Sequence, residues 1–179
     1  MEDRGTSAEA EAEALRRIEA AEESDVVERA LTAARERLHM EAAYVTTIDS
    51  QKQTIEAIVG ETTAPVGPGT EVPLQETYCM RMLNEEIPNV VPNTHAEPAL
   101  RDLSATRYVG AYVGVPVRLS DGRVHGTLCC VNKDPCEGLG DAELRFMQVL
   151  AGIVATRIEQ AQGNLARLTA RLRARSPQG

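Results

Sequence analysis

Apolar and polar residues alternate most regularly between positions 108 and 135, where two period-two runs flank Asp121-Gly122. An Asp-Gly pair between alternating runs predicts a β-hairpin with a two-residue type I′ turn. With that turn, Leu119 faces Val124, Val117 faces Gly126, Val115 faces Leu128 and Val113 faces Cys130, which makes one face apolar throughout. The opposite face pairs Arg118 with His125, Pro116 with Thr127, Gly114 with Cys129 and Tyr112 with Val131. Small, hydroxylic, thiol and aromatic groups on one face suit a cavity wall better than a dry core. The hairpin is therefore expected to turn one side to helices and the other to a ligand.

The rest of the pattern supplies the remaining elements. Residues 1–8 are expected to be disordered. Positions 9–39 have strong helix composition, and Ser24-Asp25 offers an N-cap that splits them into two helices, the second over 26–39. Strands are predicted at 42–49, 53–60 and 72–74, a short helix at 75–84, a proline-bounded edge strand at 88–93 and a further short helix at 97–103. After a loop, Asp141 is expected to cap a long final helix. There Leu144, Met147, Ala151, Val154, Ile158, Ala161, Leu165, Leu168 and Leu172 are spaced alternately by 3 and 4 residues, an a/d seam. Its second half has no domain surface left to cover, which predicts a parallel homodimer through Leu15, Ile18, Val154, Ile158, Ala161, Leu165, Leu168 and Leu172. Charge agrees: residues 1–41 hold twelve acidic and six basic side chains, whereas 157–175 hold five arginines and only Glu159.

Gly114-Val115-Pro116-Val117, the turn, Gly126-Thr127-Leu128, Asn132-Lys133-Asp134 and a helix opening at Asp141 together resemble the closing half of a GAF domain. The segments TYCMRML (77–83) and IPNVVPNTHAEPALRDL (87–103) extend the resemblance, which runs from about residue 24 to about 160. It implies an α/β (α+β) fold: a central antiparallel sheet of five or six strands, terminal helices on one face, and short helices and loops enclosing a pocket on the other. The chain then divides into an N-terminal helical extension (1–23), a sensor domain (24–160) and a C-terminal signalling helix (161–179). The implied function is a small-molecule-binding regulatory sensor of bacterial signal transduction. Its implied ligand contacts are Tyr78, Cys79 and Met82 on the helix laid across the pocket. Arg101, Asp102 and Tyr108 stand at its mouth, and Tyr112, Gly114, Thr127 and Cys129 on the hairpin.

The resemblance leaves the ligand unknown. Cyclic-nucleotide-binding relatives carry an Asn-Lys pair, a Phe and an Asp-Glu pair; here Asn132-Lys133 is present, Leu139 replaces the Phe, and Ala142 splits Asp141 from Glu143. That partial match keeps a cyclic nucleotide possible. Bilin and haem are disfavoured, because positions 100–110 contain neither the Cys nor the His that such relatives place there, and His95 lies earlier.

Composition narrows the rest. A chain of 179 residues with 42% hydrophobic residues suits one globular domain, and a net charge of −8 argues against nucleic-acid binding. No apolar run approaches a membrane span and the start resembles no signal peptide, so a cytoplasmic location is expected. The four cysteines form no CxxC pair and the three histidines are scattered, which predicts no metal site. No catalytic motif is present, so the chain is not expected to be an enzyme, although free-methionine-sulfoxide reductases are single GAF domains that use cysteines. Two alternatives stay open. One is a thiol redox sensor or reductase using Cys79 and Cys129, with the Cys79 thiol pKa lowered by the helix start and Arg81. The other is a ligand-free dimerisation module.

Overall fold

The alternating segments become strands because each can bury one face, and among the described residues all six strands join one sheet. The computed structural model describes residues 3–175. In it β1 (Ala42–Ile48), β2 (Lys52–Gly60), β3 (Glu71–Pro73), β4 (Val90–Val91), β5 (Ala111–Arg118) and β6 (Val124–Asn132) pair antiparallel in the order β3-β2-β1-β6-β5-β4. Both edges are short and carry proline, at Pro73 on β3 and at Pro88 and Pro92 around β4, which blunts them against further strand pairing.

Two long helices, α1 (Asp3–Leu38) and α3 (Asp141–Arg175), cover one face of the sheet. Leu31 and Ala34 of α1 and Met147 and Val154 of α3 pack there against Val113, Val115, Val117, Leu128 and Cys130. The opposite face is covered by α2 (Tyr78–Leu83) and by 3-10 turns at Thr94–Ala96, Pro98–Leu100 and Ser104–Arg107. Its core contains Tyr78, Cys79, Met82, Leu100, Tyr112, Cys129 and Val131. The two faces of the hairpin are those read from the alternation, and the fold class is the one the resemblance implies.

The turn itself differs. The loop has three residues, 120–122, closed by the Gly122 N–H on Leu119 O at 2.9 Å and by the Leu119 N–H on Arg123 O at 2.9 Å. Only its last residue is left-handed (Gly122, φ +86°), so Asp121 keeps an unstrained backbone while its carboxylate accepts the Arg123 N–H. Arg118 therefore pairs with Val124, and Leu119 lies opposite Arg123. A bulge at His125 then restores Val117 to Gly126 and every pair beyond it. The extra loop residue and the extra strand residue cancel. At Gly126 a Cβ would lie 1.6 Å from Thr46 O, so close passage of β1 requires glycine there.

The helices also depart from expectation. α1 is continuous from Asp3, within the stretch 1–8 expected to be disordered, and Ser24-Asp25 does not divide it; residues 1–2 lie outside the described residues. Ser24 and Asp25 are exposed, and Asp25 pairs with Arg29 one turn on, so neither needs to cap. The predicted helix at 75–84 is a 3-10 turn (Leu74–Glu76) followed by α2, with Thr77 between them as N-cap. The predicted helix at 97–103 is only the 3-10 turn at Pro98–Leu100, and Gly140, whose N–H is held by Glu143 Oε2 at 3.1 Å, precedes α3 in place of the expected Asp141 cap.

α1 and α3 run antiparallel: Arg37 meets Glu143 at one end, while Arg157 meets Glu19 and Glu22 and Asn164 meets Glu19 at the other. The acidic and basic halves are thus matched within one chain. Val154, Ile158 and Ala161, expected at a dimer interface, are buried in the chain's own core. Leu165, Leu168 and Leu172 of the seam's second half, and Leu15 of α1, are half-buried. The first half of the seam packs against α1 in the chain's own core; of the expected interface residues, Ile18 is exposed (55%). Among the described residues no helix is long and apolar enough to cross a membrane.

Candidate functional site

Thr77 sets the site by starting α2. Its Oγ1 accepts the Met80 N–H at 3.1 Å and donates to Leu74 O at 2.8 Å, and the helix so begun buries Tyr78, Cys79 and Met82 on the sheet. Beneath it, Thr46 of β1, Tyr112 of β5 and Thr127 and Cys129 of β6 share one face. Tyr112 is fully buried and its ring lies over Gly114: a Cβ there would come within 2.0 Å of the tyrosine oxygen. The space that the missing side chain leaves, expected to admit a ligand, is filled by Tyr112 itself. Its ring stands edge-on to that of Tyr78, with centroids 5.5 Å apart.

These groups form a buried cluster of thiols and hydroxyls. Cys79 Sγ and Cys129 Sγ are 3.5 Å apart. The Thr127 hydroxyl donates to Cys79 Sγ at 3.1 Å, and Tyr112 Oη lies 3.7 Å from Cys79 Sγ and 3.5 Å from Cys129 Sγ. Thr127 Oγ1 also lies 2.8 Å from Thr46 Oγ1. The Cys129 thiol, hydrogen-bonded to Cys79, holds the Cys79 pKa below its ordinary value against the opposing effect of burial, with Thr127 and Tyr112 adding to it. Burial, with the neighbouring Cys79, pushes Cys129 well up. The lowering expected at Cys79 is present, but its main cause is the Cys129 thiol; the Cys79 backbone N–H at the start of α2 adds the least, and Arg81, engaged by Glu86 at 2.6 Å and Asp102 at 3.0 Å, is not among its causes.

A cavity of about 100 Å³ opens beside this cluster. Tyr78, Cys79, Val109 and Val131 line its inner side, Tyr44, Ile55, Ile58 and Val72 its walls, and Thr62, Ala64, Val66 and Glu76 its outer rim. Ile55 and Ile58 share this side because β2 bulges at Glu56, which has no partner on β1. Gln53 also lines the cavity; it is 5% exposed, and its Oε1 is buried without a hydrogen-bond partner.

Of the residues expected to bind a ligand, the cavity takes in Tyr78 and Cys79. Tyr112, Thr127 and Cys129 support Cys79 from behind, Gly114 lies under Tyr112, and Met82 is buried elsewhere in the same core. Arg101, Asp102 and Tyr108 are exposed outside the lining. Tyr44, Gln53, Ile55 and Ile58 escaped the sequence reading, although Gln53 carried a signal: an amide at an inward phase of an alternating strand. Among the described residues no group of three or more His, Cys, Asp or Glu is placed to hold a metal ion.

A sequence model described as GAF domain matches residues 20–159. The chain belongs to the GAF domain family. No curated protein matches it. Among solved structures, this GAF domain is similar to the GAF domain of an Acinetobacter phosphoenolpyruvate-protein phosphotransferase, at 17% identity and a TM-score of 0.65, covering 91% of this chain and 97% of that one. It is similar to the GAF-B domain of DevS from Mycobacterium smegmatis at 17% identity and a TM-score of 0.61, covering 79% and 96%. It is also similar to free methionine-R-sulfoxide reductase from Neisseria meningitidis, solved in complex with its substrate, at 18% identity and a TM-score of 0.63, covering 92% and 95%. At these identities the likeness is one of fold. The partial cyclic-nucleotide motif lies away from the cavity of this GAF domain. Asn132 and the Lys133 N–H bind Glu41, and Glu143 binds Gly140 and Arg37, so these residues tie strand exit and helix start together.

Proposed function

We propose that this GAF domain is a regulatory sensor whose ligand enters the cavity between β2 and α2 and presents one hydrogen-bonding group to Gln53 amid mostly apolar contacts. The observation that carries this reading is Gln53: the residue lines the cavity, and its Oε1 is buried with no partner. A buried acceptor left unmade costs about 1–3 kcal/mol, which a donor on a ligand recovers. About 100 Å³ limits the buried portion of the ligand to a few heavy atoms. That the Neisseria meningitidis reductase was solved with its substrate supports small-molecule binding by this fold.

Occupancy is relayed through the sheet to the α1–α3 pair, with the segments 1–23 and 161–179 as output arms. A second copy docks, in this reading, on the outer strip of Ile18, Val149 and Ile153, exposed by 55%, 62% and 48%. Native mass spectrometry of the full chain purified from its own host tests both parts. A retained small molecule in the wild type that is absent from Gln53→Leu is the expected result. Retention unchanged in that variant, or none in either, overturns the ligand assignment. A purely monomeric spectrum overturns the dimer.

A further inference from the structure

Two cysteines brought to 3.5 Å inside a protein are a chemical site in their own right. A disulfide has an S–S length of about 2.05 Å, so the pair is within roughly 1.5 Å of bonding distance. Both cysteines are buried, at 1% exposure for Cys79 and 0% for Cys129, yet of the two only Cys79 lines the cavity. The cavity is lined by Cys79 together with the half-exposed Thr62, Ala64 and Val66 and the exposed Glu76, so it brings a small molecule from the surface to this cysteine, whereas Cys129 is not part of its lining. The pair is also asymmetric in its hydrogen bonds: Cys79 accepts from Thr127 and lies in reach of the Tyr112 hydroxyl and the Cys129 thiol.

We propose that Cys79 and Cys129 form a reactive dithiol site whose substrate is a small hydroperoxide, with Cys79 as the attacking sulfur and Cys129 as the resolving one. The Cys79 thiolate attacks the terminal oxygen of ROOH; an S–O bond forms, the O–O bond breaks, and RO⁻ leaves to take up a proton as ROH. Cys79 is then a sulfenic acid. Cys129 attacks that sulfur; an S–S bond forms, the S–O bond breaks, and the hydroxyl departs with the Cys129 proton as water. The two thiols together lose two electrons and two protons, and ROOH becomes ROH and H₂O. The lowered pKa of Cys79 supplies thiolate for the first step, and the Thr127 and Tyr112 hydroxyls are placed to donate to oxygen leaving that sulfur. The product ties α2 to β6 and moves the Cys79 wall of the cavity. This chemistry stands whether or not a ligand is found beside Gln53.

The test treats the reduced full chain with stoichiometric hydrogen peroxide or tert-butyl hydroperoxide, blocks remaining thiols under denaturing conditions and maps the peptides. The expected result is a Cys79–Cys129 linkage, reversible by dithiothreitol, with Cys79 consumed on the order of tenfold faster than the more exposed Cys136. Faster closure by tert-butyl hydroperoxide identifies R as alkyl; faster closure by hydrogen peroxide identifies it as hydrogen. Cys129→Ser is expected to stop at a sulfenic acid on Cys79 that dimedone traps. Wild-type protein in which Cys136 is consumed first, or in which no linked peptide forms, overturns the proposal without recourse to any variant.

Discussion

Cys129 and Cys130 are neighbours on β6, and they occupy different solvents. Cys130 points into the helix-covered face, where its nearest polar contact is Met147 Sδ at 3.9 Å, and burial pushes its thiol pKa from 9.0 up to about 12. Cys129 points to the opposite face, among Cys79, Thr127 and Tyr112, and is also pushed well up by burial. Yet it can stabilise a charge on its partner, which Cys130 cannot. The helix-covered face is continuous apolar packing between long elements that close on it from end to end. The other face is roofed by a six-residue helix and 3-10 turns, which leave a polar cluster and a cavity. Long helices can follow a sheet and fill it; short turns cannot, and the space they fail to fill is where a ligand or an oxidant meets the chain.

Truncation gives the sharpest break between the two faces. Leu31→Ala, at a fully buried α1 position, is expected to cost about 2–5 kcal/mol of unfolding free energy in urea titration. Ile58→Ala, at the cavity wall, is expected to cost less than about 2 kcal/mol, because its surroundings are already incompletely packed. Equal losses contradict the contrast. Gly114→Ala comes next: the new methyl displaces the Tyr112 ring, for an expected loss of about 1–3 kcal/mol together with slower reaction of Cys79 with iodoacetamide. A stable variant with unchanged Cys79 reactivity contradicts the role given to Tyr112.

Alkaline unfolding has the smallest expected effect near neutrality. Cys130 keeps its proton up to about pH 12 when folded, whereas the unfolded chain releases it near 9.0, so its contribution is complete below pH 9 and declines as pH rises toward 12. Its share of that decline is about 1.4 kcal/mol per pH unit. Because Cys129, Tyr44 and Tyr112 are also raised by burial, the difference between wild type and Cys130→Val isolates it. Parallel pH curves for the two proteins remove Cys130 from the account.

The hairpin shows why some of this was readable and some was not. The alternation from Tyr112 to Val117 and from Gly126 to Val131 is a property of neighbouring residues, and it assigned each side chain to the correct face. The loop is one residue longer than the Asp-Gly signal implies, yet the register survives, because a bulge at His125 offsets the third loop residue and β6 keeps its apolar side on the helices. Gly114 differs from expectation for a related reason. A missing side chain in a strand announces space, and only the rotamer of Tyr112 two residues away determines who fills it.

Local periodicity thus settles the strands, the final long helix, which faces are apolar and that Cys129 and Cys130 point apart, since these follow from bond geometry within a few residues, whereas it did not show that α1 is one unbroken helix. The α1–α3 pairing, the cavity beneath α2 and the approach of Cys79 to Cys129 join positions 50 to 145 residues apart. The heptad seam specified an apolar partner without naming it, and α1 was as good a complement as a second chain. For Val154, Ile158 and Ala161 packing made that choice, because a helix on the same chain is already held beside them, at an effective concentration that a second copy has to match.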